Sequence, residues 1–145
     1  MIFQDVYLNQ HLSLSKLYEL LKERTPDQSI SHKEVPVFPE HRNFFYSIPY
    51  MYWYLIVDGG EVVGSVYLTR HREIGIFIFK KYFKKGYALQ AINKIIEMHP
   101  GKFLANINPK NEASIKLFEK LGGKLIQHTY EVELCHEKKT STPKS

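Results

Sequence analysis

The stretch Lys80–Ile92, KKYFKKGYALQAI, sets four lysines ahead of a glycine and then opens an apolar helix pattern. Positive charge in that position opposes the helix dipole, so its presence needs a reason. A helix N-terminus carries unpaired N–H groups and the positive dipole end, which together suit an anion. Gly86 lets the backbone come close to such a ligand, and Ala88 leaves room in the first turn. The N–H groups of Lys85, Gly86, Tyr87 and Ala88 would cradle a pyrophosphate, with Lys84 and Lys85 supplying countercharge. A solvated basic turn is the plainer alternative for the same residues.

Working outward, EIGIFIF (73–79) precedes this turn and reads as a strand. Before it, YWYLIVD and EVVGSVYLT flank Gly59-Gly60 and read as a hairpin. SLSKLYELLKER carries Leu14, Leu17, Tyr18 and Leu21 on one helix face, with Ser13 as its expected cap. A polar connection interrupted by three prolines follows, then a short helix around Glu40 to Tyr46. Downstream, Gly86 to Met98 presents Ala88, Leu89, Ile92, Ile95 and Ile96 on one helix face. KFLANIN is then expected as a strand, NEASIKLFEKLGG as a helix with face Ala113, Leu117, Phe118 and Leu121, and KLIQHTYEVEL as a final strand or two. The order is α, α, β, β, β, α, β, α, β, which calls for an α/β or α+β domain with a mixed sheet.

The chain has 145 residues, a hydrophobic fraction of 43% and a formal charge of +5. That length fits one domain, expected over 1–136, with 137–145 (EKKTSTPKS) as a disordered basic tail. No apolar run reaches the roughly 20 residues of a membrane span, and no secretory signal is visible, so a cytoplasmic location is expected. Cys135 is the only cysteine, which excludes an intramolecular disulfide. The seven histidines show no metal-ligand spacing, so no metal is expected. The modest charge argues against a nucleic-acid partner and suits an anionic small molecule.

Two motifs, taken together, resemble the GCN5-related N-acetyltransferase (GNAT) superfamily. One is Phe83-Lys84-Lys85-Gly86-Tyr87-Ala88, against the family's Q/R-x-x-G-x-G/A after its fourth strand. The other begins about 25 residues on, with Asn111, Ala113 or Ser114, Phe118, Gly122 and Gly123, against N-x-x-A-x-x-x-Y-x-x-x-G-F. The resemblance runs from about Tyr52 to Leu134 in element order. It implies a mostly antiparallel mixed sheet flanked by helices and splayed between the fourth and fifth strands, with acetyl-CoA as co-substrate. Backbone groups of Ile76, Phe77 and Ile78 would meet the pantetheine arm, residues 83–88 the pyrophosphate, Asn111 the pantetheine, and Phe118 the thioester region. Phe83 replaces the usual Gln or Arg, and Gly123 replaces the usual Phe. Phe118 stands where many relatives have a tyrosine that protonates the leaving thiolate, which a phenyl ring cannot do. A thiol with a pKa of about 8.5 already leaves well.

Acyl transfer to an amine needs a neutral amine, a stabilised oxyanion and held geometry. The resemblance places the oxyanion donor near Ile78. Glu73 is the leading candidate base, and His41 in PEHRNFF is the second. Asn106, where some relatives carry glutamate, would orient the acceptor. FFYSIPYMYWY packs seven aromatics into eleven residues, and Tyr46 and Tyr50 would stack on a sugar ring or nucleobase. The region also resembles, more loosely, acetyltransferases of bacterial surface-polysaccharide synthesis that act on nucleotide-linked amino-deoxysugars. The expected partner is a small-molecule amine, and the expected assembly a monomer or homodimer. A protein or peptide N-acetyltransferase and a non-catalytic acyl-CoA-binding protein are the alternatives.

Overall fold

The computed structural model describes residues 1–24 and 34–134. The expected tail over 137–145, Cys135 and most of the proline-interrupted connection lie outside the described residues. Four antiparallel strands form a sheet in the order β1-β2-β3-β4: β1 (Ile2–Asp5), β2 (Tyr52–Asp58), β3 (Glu61–Leu68) and β4 (Ile74–Ile78). Helices α1 (Gln10–Glu23) and α2 (Phe38–Tyr46) precede β2, and α3 (Tyr87–Met98) and α4 (Glu112–Lys120) follow β4.

Strand alternation divides the core between the two faces of the sheet. Trp53, Leu55 and Phe79 pack with Leu14, Leu17 and Leu20 of α1 and Phe45 of α2. Ile56, Val66, Leu68 and Ile74 pack with Ala91, Ile92 and Ile95 of α3, and Leu117 and Phe118 of α4 join at the margin. Fully burying one such side chain contributes about 1.5–3 kcal/mol, so each helix is held mainly by the face it lays on the sheet.

The structure departs from the sequence-based expectation in four places. β1 is an additional strand, too short and too mixed in character to stand out by pattern. The cap of α1 is Asn9, whose side chain accepts from Leu12 N–H at 3.2 Å, whereas Ser13 lies buried inside the helix. KFLANIN makes only a single parallel bridge, Glu73 with Leu104, closed by Ile74 N–H to the Leu104 carbonyl (2.8 Å) and Leu104 N–H to the Arg72 carbonyl (2.9 Å). Residues 123–134 form no strand. Their alternation is real, but Leu125, Ile126, Tyr130, Val132 and Leu134 are all exposed, with no described sheet edge against them.

Candidate active site

Hydrogen-bond parity along β4 determines which backbone groups are free for a ligand. Phe79 N–H donates to the Val63 carbonyl and Thr69 N–H to the Glu73 carbonyl, so the odd residues of β4 face β3. Ile74 N–H points the other way, to Leu104. Ile76 and Ile78 follow Ile74 and turn their amides toward 105–108, where no protein strand pairs with them among the described residues. Phe77 is paired with Ser65 across the β3 side. Of the three residues expected to offer backbone to a ligand, Ile76 and Ile78 thus have amides turned away from β3, whereas the Phe77 amide is committed to β3 and its ring faces the α1 side, which corrects the expectation for Phe77.

Below β4 the chain makes a short 3-10 turn over Lys80–Tyr82 and enters α3. Lys84 has φ +62°, Gly86 has φ +83°, and Lys85 between them keeps negative φ. Alternation of this kind turns successive N–H groups into a concave, anion-binding nest. Gly86 is the residue before α3, and a Cβ placed on it would meet only Gln90 Nε2, at 3.6 Å. Its glycine serves backbone conformation and open approach, not packing. Lys84 and Lys85 are exposed and make no ion pair among the described residues. Phe83 is 44% exposed at the lip of the same turn. Tyr87 is turned away, its hydroxyl donating to Asp58 at 2.6 Å, while Ala88 keeps the first turn narrow. The open approach at Gly86 and the two exposed lysines would suit a pyrophosphate, and the alternating sign of φ over Lys84–Gly86 is an observation that the motif alone did not supply.

A cavity of about 1030 Å³ opens between β4, α1, α2 and the 105–108 segment, and reaches Asn111, Ser114 and Phe118. It joins the α1/α2 face of the sheet to the gap beside β4. Glu73 lies where the two meet. Asn106 Nδ2 donates to its Oε2 at 2.8 Å, and Thr69 Oγ1 donates to its Oε1 at 3.3 Å. Thr69 Oγ1 also accepts from the N–H groups of Glu73 (3.0 Å) and His71 (3.2 Å), which fixes the strand entry that carries the carboxylate. Glu73 and Asn106, named separately from the sequence, are thus brought together by a hydrogen bond.

Other expected residues fall differently. His41 is 3% exposed, its Nε2–H donates to the Leu14 carbonyl at 3.0 Å, and Tyr18 and Phe38 cover its ring. Burial pushes its pKa down, so it is neutral, and its donor nitrogen ties α2 to α1. The ring touches the cavity wall as packing, which removes the ground for casting it as the base. Tyr46 is 45% exposed against Phe45 and Arg42 and is not among the lining residues. Tyr50 does line the cavity, stacked on Tyr67 with ring centroids 3.8 Å apart and planes 5° apart. Burial raises the pKa of both phenols and keeps them protonated. Asn111 spends its Oδ1 on the Ser114 N–H (3.2 Å), capping α4 at the cavity edge. Phe118 packs at the margin of the α3-side core and lines the cavity without a proton to give.

Sequence reading missed Arg24, Tyr67 and Thr69. Ser65 and Tyr67 alternate onto one face of β3, and Thr69, the residue after its end, continues the period-2 pattern, a signal available in the sequence. Gly75 was a second signal. A Cβ there would strike the Tyr67 ring at 2.1 Å, so only glycine lets Tyr67 lie flat across β4.

The comparisons with known proteins identify the family to which this arrangement belongs. The profile of the acetyltransferase (GNAT) family matches residues 14–123, and the chain belongs to that family. It is a GNAT acetyltransferase, a family that uses acetyl-CoA as co-substrate. None of the curated sequences compared matches this chain. Among solved structures, a domain from Methanocaldococcus jannaschii DSM 2661 superposes with TM-score 0.72 at 23% identity, over 90% of this chain and 92% of that one. A spermidine N-acetyltransferase SpeG chimera from Vibrio cholerae and hSSAT gives 0.66 at 18% identity, over 84% and 81%. An N-acetyltransferase from Staphylococcus aureus Mu50 gives 0.63 at 19%, over 83% and 81%. At these identities the likeness shows the fold. Among the described residues no helix is long and apolar enough to cross a membrane, and no group of three or more His, Cys, Asp or Glu is placed to hold a metal.

Proposed function

We propose that the chain acetylates the primary amine of a small molecule, and that a nucleotide-linked amino-deoxysugar is the favoured acceptor. The observation that carries this reading is the continuity of the cavity from the Tyr50–Tyr67 stack to Glu73 and on to the gap beside Ile76. The turn at residues 83–88 would hold the pyrophosphate of acetyl-CoA, which supplies the activated acyl group. The amides of Ile76 and Ile78 would take the pantetheine and the developing oxyanion. Phe118 and the Asn111-capped start of α4 would close the far side of the gap.

Glu73 is the base in this reading. It would draw the proton from the acceptor ammonium, directly or through one water, with Asn106 holding both carboxylate and acceptor. No side chain is assigned to protonate the thiolate. Tyr50 and Tyr67, which both line the cavity, would offer aromatic surface to a sugar ring or base.

A polyamine acceptor is the second reading. It draws on Glu34, Glu40 and Glu73, which all line the cavity, and on a fold neighbour named as a spermidine acetyltransferase. Thiol release from acetyl-CoA separates the two when assayed with nucleotide-linked aminosugars, free aminosugars, spermidine and short peptides. The nucleotide-linked amines are expected to give the highest kcat/KM, because binding energy remote from the amine positions it. Faster turnover on spermidine or peptides would replace this acceptor assignment.

A further inference from the structure

We propose that Arg24 is an anion-recognition residue, and that the acceptor amine carries a carboxylate or phosphate which this guanidinium receives. The inference deepens the reading of the same cavity and rests on it.

Arg24 is the residue at which α1 ends. Its N–H donates to the Leu21 carbonyl at 3.2 Å, and its backbone turns extended, with φ −69° and ψ 136°. That turn sends the side chain over β4, where the guanidinium lies on the Phe77 ring, 4.0 Å from its centroid. Stacking covers one face of the planar cation and leaves its N–H edge free to bind. The Nε atom is sealed from solvent and has no hydrogen-bond partner among the described residues. No carboxylate forms an ion pair with Arg24 among them either. Burial works against this charge and lowers the pKa of the guanidinium.

A partly buried cation without a counter-ion is costly unless something else completes it. The cavity shows what would do so. Arg24 is the only lysine or arginine among its described lining residues. Arg24, Tyr67 and Glu73 all line it, so the one cavity holds a guanidinium, a carboxylate and an aromatic ring. A molecule spanning them would present its amine to Glu73 and an anion to Arg24, with its body along Tyr67. A fully cationic polyamine would meet repulsion at the Arg24 end. A carboxylate or a phosphate oxygen pair matches the guanidinium fork equally well, so both are named.

The test compares matched amines in the full-length protein. The pairs are glucosamine with glucosamine phosphate, and putrescine with γ-aminobutyrate; spermidine is added. Wild type is measured beside Arg24→Met, and beside Lys22→Met as a cation removed from the same helix outside the cavity. Wild type is expected to favour the anionic member of at least one pair in kcat/KM. Arg24→Met should erase about 30-fold or more of that preference, and Lys22→Met should leave it in place. The pair that responds identifies carboxylate or phosphate. Calorimetric binding of the same anionic amines to the CoA-saturated proteins gives a readout free of turnover. Arg24-dependent binding without acetylation would uphold the anion site and overturn the proposal that these small-molecule amines are the acceptors. Acetylation whose anionic preference survives Arg24→Met, or a wild type that prefers spermidine, would overturn the anion site.

Discussion

Gly86→Trp is expected to abolish acetyl-CoA binding, raising Kd by more than about 100-fold, or about 2.7 kcal/mol. Two costs combine in this substitution and must be separated. Any L side chain at φ +83° carries roughly 1–2 kcal/mol of backbone strain. The indole adds bulk on the path a phosphate would take. A Cβ at this position meets only Gln90 Nε2 at 3.6 Å, so no core residue lies against it. Gly86→Ala therefore serves as the strain control and should lose much less affinity. Lys84→Ala should weaken binding less than about fivefold, since exposed charge contacts are worth about 0–1 kcal/mol. Calorimetry and thermal melting check the set. A folded Gly86→Trp protein with unchanged affinity would remove the pyrophosphate from this turn.

Glu73→Gln is expected to lower kcat by about 100-fold or more while leaving acetyl-CoA affinity within about twofold. The amide is nearly isosteric with the carboxylate. Its Oε1 can still accept from Thr69, and the Asn106 amide can turn over to present its oxygen to the new Nε2–H. What disappears is the ability to take a proton. Measurement needs saturating acetyl-CoA and an acceptor that wild type uses. Near-native turnover would pass the proton to solvent, because the ring of His41 is buried and its Nε2–H is committed to Leu14.

The sequence made the frame legible because its strongest signals are local. The hairpin at Gly59-Gly60, the period of α3 and the glycine ahead of it each follow from short-range rules, and all three elements formed where expected. The family motif and the strand order nominated Phe83–Ala88, Glu73 and Asn106 as candidates, while the hydrogen bond between Glu73 and Asn106 came from the structure. Side-chain destinations were harder to read. His41 and Tyr46 lie on one short helix, yet the first is sealed against α1 and the second points to solvent. Only the docking angle of α2 decides that. Phe77 was misjudged because strand parity depends on pairing register, which a single strand does not reveal. Arg24 was invisible because a basic residue ending a helix is ordinary, until the structure lays it on a ring 53 residues away (77 − 24). The alternation in residues 124–134 predicted a strand, but alternation gives a strand only where an edge receives it.

Amide hydrogen exchange at β4, followed residue by residue by NMR, tests the central claim most directly, namely that the acyl donor occupies the gap between β4 and residues 105–108. In the free protein the Phe77 amide, paired with β3, should exchange slowly, and those of Ile76 and Ile78 faster. Saturating acetyl-CoA should slow Ile76 and Ile78 by about tenfold or more and leave Phe77 little changed. Exchange at Ile76 and Ile78 that does not respond to bound acetyl-CoA would contradict the account.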